Sequence, residues 1–245
     1  MLGRKAFSVF AAFILLIAAS IGAVATTSAG VITKESSENV PVETPLNLAI
    51  LVQDDLVSRV GSELKVTREF IRSLPAGSRV MVAYVTAGSL QVRQPFTNDL
   101  EKAAKSLRVP VGSTTASPYN PYVEVIEALH RFEERGENRN ALLLISDGLD
   151  TSRGFDNGSA ANTLDLLRAI KEAKARNVTV YSFYAPTVGL TSWDTRAIGY
   201  GQSSLNRLSN ETGGRAFFQG TNFVTFDSYF DRLREALNEQ YAKAY

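Results

Sequence analysis

Apolar runs alternate along most of the chain with segments in which apolar residues recur every three or four positions. The runs, such as LNLAILV at residues 46–52 and RVMVAYV at residues 79–85, are typical of strands that are covered on both faces. The periodic segments, such as the one containing Val60, Leu64 and Ile71, are typical of helices with one buried face. This alternation predicts an α/β fold in which a doubly wound, mostly parallel sheet carries helices on both sides.

The same pattern gives the predicted positions of six strands and six helices. The strands are expected at residues 46–52, 79–85, 90–96, 140–148, 177–186 and 215–218. The turn AGS at residues 87–89 makes the second and third strands a hairpin, so the third strand is expected to be an antiparallel edge of the six-stranded sheet. The helices are expected at residues 60–74, 97–107, 125–132, 164–170, 205–208 and 226–241. Residues 187–202 fit neither pattern and are expected to be irregular.

The beginning of the chain has a different character. Arg4 and Lys5 precede the uncharged run AFSVFAAFILLIAASIGAVA at residues 6–25, which ends in an A-x-A pattern typical of a secretory signal. An uncleaved membrane anchor is the alternative, because an apolar run of this length can span a bilayer. Residues 26–45 are polar and contain two prolines, so we expect a linker there and a domain at residues 46–245. That domain is expected to be secreted or periplasmic, or anchored to the inner membrane by residues 6–25.

Composition removes several classes of function. The chain has no cysteine, which excludes disulfides, thiolate metal sites and a cysteine nucleophile. It has 26 basic and 25 acidic residues, so the charge balance gives no sign of nucleic-acid binding. An exported domain is also a poor candidate for ATP-driven chemistry. Membrane contact is expected only through the N-terminal segment, if that segment is uncleaved.

In folds of this class, ligands bind outside the carboxyl ends of the strands, where the strand order reverses. The first of these strand ends carries two adjacent acids, Asp54 and Asp55. A bacterial receiver domain begins in this way, but it needs an acceptor aspartate after the third strand, and LQVRQPF at residues 90–96 has none. The G-x-G-x-x-G and G-x-S-x-G motifs are absent. His130 is the only histidine and is expected to be a partly buried helical residue, so a serine hydrolase is disfavoured.

Oxygen-bearing side chains on three strand-end loops are the remaining candidates. Carboxylates and hydroxyls without histidine or cysteine suit a hard cation such as Mg²⁺. The candidate ligands are Asp54, Ser58, Thr114, Thr115, Ser117 and Asp147.

Four segments in the right order make the chain resemble the von Willebrand factor type A domain, and in particular a group of bacterial secreted proteins that contain it. The segments are ALLLISDGLDTSRG at residues 141–154, AKARNVTVYSF at 173–183, LNRLSNETGGRAFF at 205–218 and FDRLREALNEQYAKAY at 230–245. The resemblance covers residues 46–245. It implies a non-enzymatic protein-binding module, used in adhesion or as a scaffold, with a metal-ion-dependent adhesion site.

The resemblance also implies a ligand set. The family's site consists of D-x-S-x-S after the first strand, a threonine in a middle loop and an aspartate after the fourth strand. Carried over, Asp54 and Ser58 take the two ends of the first motif, and Leu56 replaces its first serine. Ser117 is the best match to the threonine, with Thr114 or Thr115 as alternatives, and Asp147 takes the last position. Mg²⁺ or Mn²⁺ bound there would take an acidic side chain of a protein partner.

Other interpretations of these residues stay open. Asp54, Ser117 and Asp147 can equally be helix caps or turn residues that hold no ion. The loop at residues 187–204 contains Trp193 and Tyr200, which together with Asp55 are the candidate partner-binding residues. This loop could support metal-independent binding, or it could be a packed Ω-loop. A hydrolase that uses Asp54 and Asp55 as acid and base is the third hypothesis.

Overall fold

A computed structural model describes residues 42–133, 139–155, 163–218 and 225–244, and side chains up to residue 239. The expected export signal or anchor at residues 1–25, and the expected linker up to residue 41, lie outside the described residues. Val42 is buried in the hydrophobic core, and the backbone N–H of Glu43 donates to Oδ1 of Asn238 at 3.1 Å. The last residues of the expected linker therefore pack against the domain.

The described residues form one six-stranded sheet in the order β3-β2-β1-β4-β5-β6. Only the β2–β3 pair is antiparallel, and the other neighbours are parallel. The strands are β1 (Leu46–Gln53), β2 (Arg79–Thr86), β3 (Ser89–Thr97), β4 (Arg139–Ser146), β5 (Val178–Tyr184) and β6 (Ala216–Phe217). The predicted fold class, with its antiparallel edge strand, is confirmed.

Helices cover both faces of the sheet. They are α1 (Val60–Arg72), α2 (Leu100–Ser106), α3 (Pro121–Leu129), α4 (Leu164–Ala175), α5 (Thr195–Glu211) and α6 (Asp227–Ala244), with short 3₁₀ turns at Thr114–Ala116 and Leu190–Ser192. Because side chains alternate along a strand, Ile50 of β1 packs into the core under α1, α2 and α6, whereas Leu51 packs under α3, α4 and α5. Burying each such side chain contributes about 1.5–3 kcal/mol, so the apolar runs specify a sheet that is covered on both sides.

Helix α5 differs from the prediction. It begins at Thr195, inside the stretch expected to be irregular, because Oδ1 of Asp194 caps it by accepting from the backbone N–H groups of Arg196 at 2.8 Å and Ala197 at 3.3 Å. Two glycines, Gly199 and Gly201, hide the helical pattern in the sequence, since glycine is a poor helix former.

The buried face of α4 also differs from the prediction. The apolar residues Leu164, Leu167 and Ile170 of the predicted helix recur at helical spacing, but Leu164 and Leu167 are exposed. The buried residues are Leu166, Ala169, Ile170 and Ala173. Small alanines carry less apolar signal than leucines, so the sequence pattern pointed to the wrong face.

The position of the candidate site follows from the strand order. The chain runs outward from β1 to β3 and then returns to place β4 on the other side of β1. The loops after β1 and β4 therefore leave the sheet in opposite directions, which opens a crevice at the carboxyl ends of the two strands. Asp54 and Asp55 follow β1 and Asp147 follows β4.

Glu124 is a buried acid on α3 that leads to a pH-dependent prediction. Its side chain is buried, and its Oε2 has no hydrogen-bond partner among the described residues. Burial raises its pKa from 4.5 to about 7. In the unfolded chain the carboxyl group ionises near its ordinary pKa, so folding costs free energy at any pH where the buried group must be ionised. The free energy of unfolding is therefore not reduced by Glu124 below pH 4.5, where the group is protonated in both states. It falls as the pH rises from 4.5 to about 7.

We predict that Glu124→Gln raises Tm at pH 8 relative to the wild type, and that it does so much less at pH 4.5. The expected difference between the two pH values is roughly 2–4 °C, which corresponds to about 1 kcal/mol in a domain of this size. Thermal unfolding followed by circular dichroism measures it. Glu127→Gln is the control, because Glu127 lies on the same helix and is half exposed beside Arg131. An equal effect of Glu124→Gln at both pH values would contradict the prediction.

Candidate functional site

Asp147 occupies the turn that follows β4. Its Oδ1 accepts from the backbone N–H of Leu149 at 3.1 Å. Its Oδ2 accepts from the hydroxyls of Thr187 at 3.1 Å and Thr191 at 2.9 Å. Both threonines follow β5, so the carboxylate is held by donors from two neighbouring strand ends. Gly148 permits the turn because its φ is +70°, a conformation that other residues seldom adopt.

Gln53, the last residue of β1, connects the two strand ends. Its Nε2 donates to Oδ1 of Asp55 at 2.8 Å. Its Oε1 accepts from the hydroxyl of Ser146 and from the backbone N–H of Asp147 at 3.3 Å. The hydroxyl of Ser117, on the loop between α2 and α3, also interacts with the carboxylate of Asp55 and lowers its pKa. One amide side chain thus fixes the positions of two carboxylates that belong to different strands.

These two carboxylates lack a compensating positive charge in the described part of the chain. Asp55 and Asp147 are 1 % and 4 % exposed, respectively, and neither forms an ion pair there. Burial raises the pKa of Asp55, which the hydrogen bonds from Gln53 and Ser117 oppose. Burial, followed by the charge of Asp55, raises the pKa of Asp147 to about 6. Both shifts record the cost of holding negative charge in this place.

The carboxylate of Asp147 borders a cavity of about 370 Å³ at the β1–β4 crevice. No lysine or arginine lines it among the described residues. Tyr119, Leu149 and Leu190 give it an apolar part. Its polar wall is formed by oxygen-bearing side chains from four loops or strand ends: Gln53, Thr114, Ser117, Asp147, Thr151 and Thr187.

Asp54 and Ser58, the two ends of the expected metal motif, do not line this cavity. Both carboxylate oxygens of Asp54 accept from the guanidinium of Arg108, at 2.6 and 2.8 Å. Ser58 is exposed, and its carbonyl oxygen accepts from Gly61 at the start of α1. Leu56 is fully buried in the core between the sheet and α1. Its side chain therefore does not point at the cavity, although the resemblance gave it a ligand position.

Asp54 and Asp55, in the turn after β1, have different surroundings. Gln53 lines the cavity and contacts Asp55, whereas Asp54 pairs with Arg108. We expected Asp55 to contact a partner from the surface, but it is buried beside Ser117. The side chains of Asp54 and Asp55 therefore have different partners, Arg108 for Asp54 and Gln53 for Asp55.

The middle loop separates the three hydroxyl candidates. Ser117 contacts Asp55 and lines the cavity, and Thr114 lines it as well. Thr115 is exposed, and its hydroxyl bonds with that of Ser113 at 2.9 Å. The structure therefore brings Ser117, Thr114 and Asp147 together, and leaves Thr115 outside.

The two aromatic candidates occupy different surroundings. Trp193 is 70 % exposed and follows the 3₁₀ turn that contributes Leu190 to the cavity. Tyr200 lies on α5, with its ring 5.7 Å from that of Phe155. The loop before Trp193 is tied to the β1 loop, because Val188 donates its backbone N–H to the carbonyl oxygen of Asp55 at 3.0 Å. Trp193 therefore follows the cavity-lining Leu190 by three residues, whereas the ring of Tyr200 contacts that of Phe155.

Sequence reasoning missed Gln53, Thr187, Thr191 and Arg108. Thr187 and Thr191 could have been found, because they directly follow a parallel strand whose carboxyl end must lie at this edge. Gln53 could have been found by the period of two along β1. Arg108 gives no such signal, since it lies after α2 in a loop without periodicity.

No protein-family model and no curated protein sequence matches the chain. Solved structures do resemble it. An aerotolerance-related membrane protein from Bacteroides fragilis is 13 % identical with a TM-score of 0.54, over 79 % of this chain and 99 % of that one. BatB from Bacteroides thetaiotaomicron is 11 % identical with a TM-score of 0.56, over 80 % of this chain and 99 % of that one. The SpRpn10 VWA domain is 12 % identical with a TM-score of 0.41, over 72 % of this chain and all of that one.

The chain has a von Willebrand factor type A-like fold. These low identities establish the fold and leave the chemistry of the site to the residues themselves. In the type A-like domain, none of the described helices is both long and apolar enough to cross a membrane.

The donor set of the type A-like cavity suits a hard cation. Among the described residues, no group of three or more His, Cys, Asp or Glu side chains is placed to hold a metal. An ion would therefore rely on the carboxylates of Asp55 and Asp147, on the hydroxyl of Ser117 and on water. Magnesium keeps several waters in its shell and prefers oxygen ligands, so this limited set fits it.

Helix α5 can approach the Asp147 turn only because residue 201 is glycine. A Cβ at Gly201 would lie 1.9 Å from the carbonyl oxygen of Asp147. We predict that Gly201→Ala lowers the stability by about 1–3 kcal/mol, as overpacking does. Gly199→Ala is the matched control, because its Cβ would meet nothing within 4 Å. Thermal unfolding should show a lower Tm for Gly201→Ala and an unchanged or higher Tm for Gly199→Ala. Equal changes would contradict the close packing.

Proposed function

We propose that this domain is a non-enzymatic protein-binding module that uses the cavity between β1 and β4 and requires Mg²⁺ or Mn²⁺. The observation that carries the proposal is the pair of buried carboxylates, Asp55 and Asp147, which share one site without a positive charge in the described residues. A divalent cation would offset the cost that raises their pKa values.

The residues proposed to hold the ion are Asp55, Ser117 and Asp147, with Thr114 as an additional hydroxyl on the wall. Gln53 positions the two carboxylates through its amide. When bound, the ion would supply an open coordination position for an acidic side chain of the partner. Tyr119 and Leu190 lie on the same wall and give the partner an apolar surface to contact.

The hydrolase hypothesis finds little support in this geometry. Asp54 is paired with Arg108 and faces away from Asp55, so the two acids do not act on one substrate. His130 is about half exposed, and its Nε2 lies 3.0 Å from Glu172 rather than in the cavity.

We also propose that the domain works outside the cytoplasm, as a secreted, periplasmic or membrane-anchored protein. The uncharged run at residues 6–25 supports this. The Bacteroides fragilis structure belongs to a protein described as a membrane protein, which agrees with such a location.

Isothermal titration of the full chain with Mg²⁺ and Mn²⁺ tests the metal requirement. The chain is kept in mild detergent because its first 25 residues are apolar. We expect saturable binding, and we expect Asp55→Asn and Asp147→Asn each to weaken it by at least about tenfold, or roughly 1.4 kcal/mol. Asp150→Asn is the control, since Asp150 lies in the same loop but accepts from Ser152. The metal proposal fails if the wild type shows no saturable binding.

A second candidate function is metal-independent partner binding through the loop of Trp193. The exposure of Trp193 favours it, because large aromatic side chains often anchor protein interfaces. A pull-down from envelope extract, with and without EDTA, separates the two candidates. If Trp193 is the anchor, Trp193→Ala abolishes capture in both conditions. Leu167→Ala removes an exposed apolar side chain on α4 and should leave capture unchanged. If EDTA abolishes capture by the wild type, and Trp193→Ala without EDTA leaves capture unchanged, this candidate is excluded.

A further inference from the structure

Asp54, which follows β1, forms an ion pair with Arg108. The guanidinium of Arg108 donates to both carboxylate oxygens of Asp54, and its side chain is 29 % exposed while that of Asp54 is 4 % exposed. Two parallel bonds between a guanidinium and a carboxylate fix both groups in one plane. The pair therefore has the geometry of a rigid connection rather than that of a mobile surface contact.

Asp54 also holds the backbone of the loop at residues 107–113. Its Oδ1 accepts from the backbone N–H of Val111 at 3.0 Å, and its carbonyl oxygen accepts from that of Gly112 at 2.9 Å. Farther back in the loop, Arg68 donates to the carbonyl oxygen of Leu107 at 3.0 Å. The loop has no regular structure of its own, so these bonds determine its path.

Tyr84 contacts both the backbone and the guanidinium of Arg108. Its hydroxyl accepts from the backbone N–H of Arg108 at 2.7 Å and donates to the carbonyl oxygen of Arg108 at 2.5 Å. The guanidinium carbon lies 3.9 Å from the centre of the Tyr84 ring, a distance at which a cation is attracted to an aromatic face. Tyr84 is fully buried in β2 and so connects the loop to the sheet.

The loop leads directly to the cavity. Gly112 is followed by the 3₁₀ turn Thr114–Ala116, and then by Ser117, which contacts Asp55. We propose that Arg108 is a positioning residue for the cation site: the Asp54–Arg108 pair fixes the loop at residues 107–113, and the loop in turn holds Ser117 beside Asp55. This inference rests on the proposed function.

The expected motif gives Asp54 the opposite role. If Asp54 were a metal ligand, Arg108 would compete with the metal for its carboxylate. Removing Arg108 would then strengthen metal binding. If Arg108 positions Ser117, removing it weakens metal binding. The sign of the change therefore distinguishes the two roles.

The experiment compares Arg108→Ala, Arg108→Lys and Asp54→Asn, together with the Arg108→Ala/Asp54→Asn double variant, by titrating the full chain with Mg²⁺ in mild detergent. We expect Arg108→Ala to weaken binding by roughly 10- to 100-fold, as loss of a group that supports metal ligands does. Arg108→Lys keeps the charge but loses the paired bonds, so it should be intermediate. The double variant should bind Mg²⁺ at least as tightly as whichever single variant, Arg108→Ala or Asp54→Asn, binds it more weakly. Arg131→Ala, which removes an exposed arginine paired with Glu127, is the control.

Hydrogen exchange of the backbone N–H groups supplies a readout that does not depend on Mg²⁺. In Arg108→Ala, the N–H groups of Val111, Gly112 and Ser117 should exchange faster, while those of β4 keep their wild-type rates. Faster exchange throughout Arg108→Ala would mean that this variant unfolds generally. The exchange rates at residues 111–117 in Arg108→Lys, the milder variant, would then decide whether the pair fixes the loop.

Tighter or unchanged Mg²⁺ binding in Arg108→Ala overturns the proposal, and so does unchanged exchange at residues 111–117. If the wild type binds no Mg²⁺, the proposed function fails, and exchange at residues 111–117 alone then decides whether the pair fixes the loop.

Discussion

The hydrogen bonds of Gln53 are the interaction on which the whole site depends. They join the ends of β1 and β4 at the point where two buried carboxylates repel each other. An amide can do this because it donates from one end and accepts at the other, so it donates to Asp55 and accepts from the Ser146 hydroxyl and the Asp147 backbone N–H at once. An acid in the same position would add a third negative charge. The type A-like fold supplies the crevice, and the hydrogen bonds of Gln53 offset part of the free-energy cost of burying two carboxylates there.

The sequence was sufficient to predict a mostly parallel sheet with an antiparallel edge strand. Continuous apolar runs can be buried only as strands with cover on both faces, and the short turn at residues 87–89 leaves β3 no arrangement other than antiparallel. The first turns of helix α5 escaped prediction because they contain two glycines, and the contact of Gly201 with Asp147 that requires one of them is a tertiary property. Likewise, α4 buries alanines that a count of large apolar residues overlooks.

The candidate site was predictable only in part. Asp147 and Ser117 lie in the cavity because strand ends and their neighbouring loops must meet there. The roles of Asp54 and Asp55 could not be separated in advance, since the two acids look alike in sequence and their different partners, Arg108 and Gln53, are set by packing. The two acids are distinguished by Arg108, which lies 54 residues farther along the chain. Its guanidinium pairs with the carboxylate of Asp54 and not with that of Asp55. A pairing of this kind depends on the packed structure and leaves no local pattern.

The burial of Val42 bears on how the domain can be attached. The residues that enter β1 pack near the start of β4 and the later turns of α6, since Arg139 donates to the carbonyl oxygen of Leu237 at 2.6 Å and to the hydroxyl of Thr44 at 2.6 Å. This is the edge formed by the amino ends of the strands, and the full length of β1, about 26 Å for eight residues, separates it from the cavity. The point where the chain enters the domain and the point where a partner would bind are thus at opposite edges of the sheet. A connection made through residue 42 leaves the approach to the cavity clear.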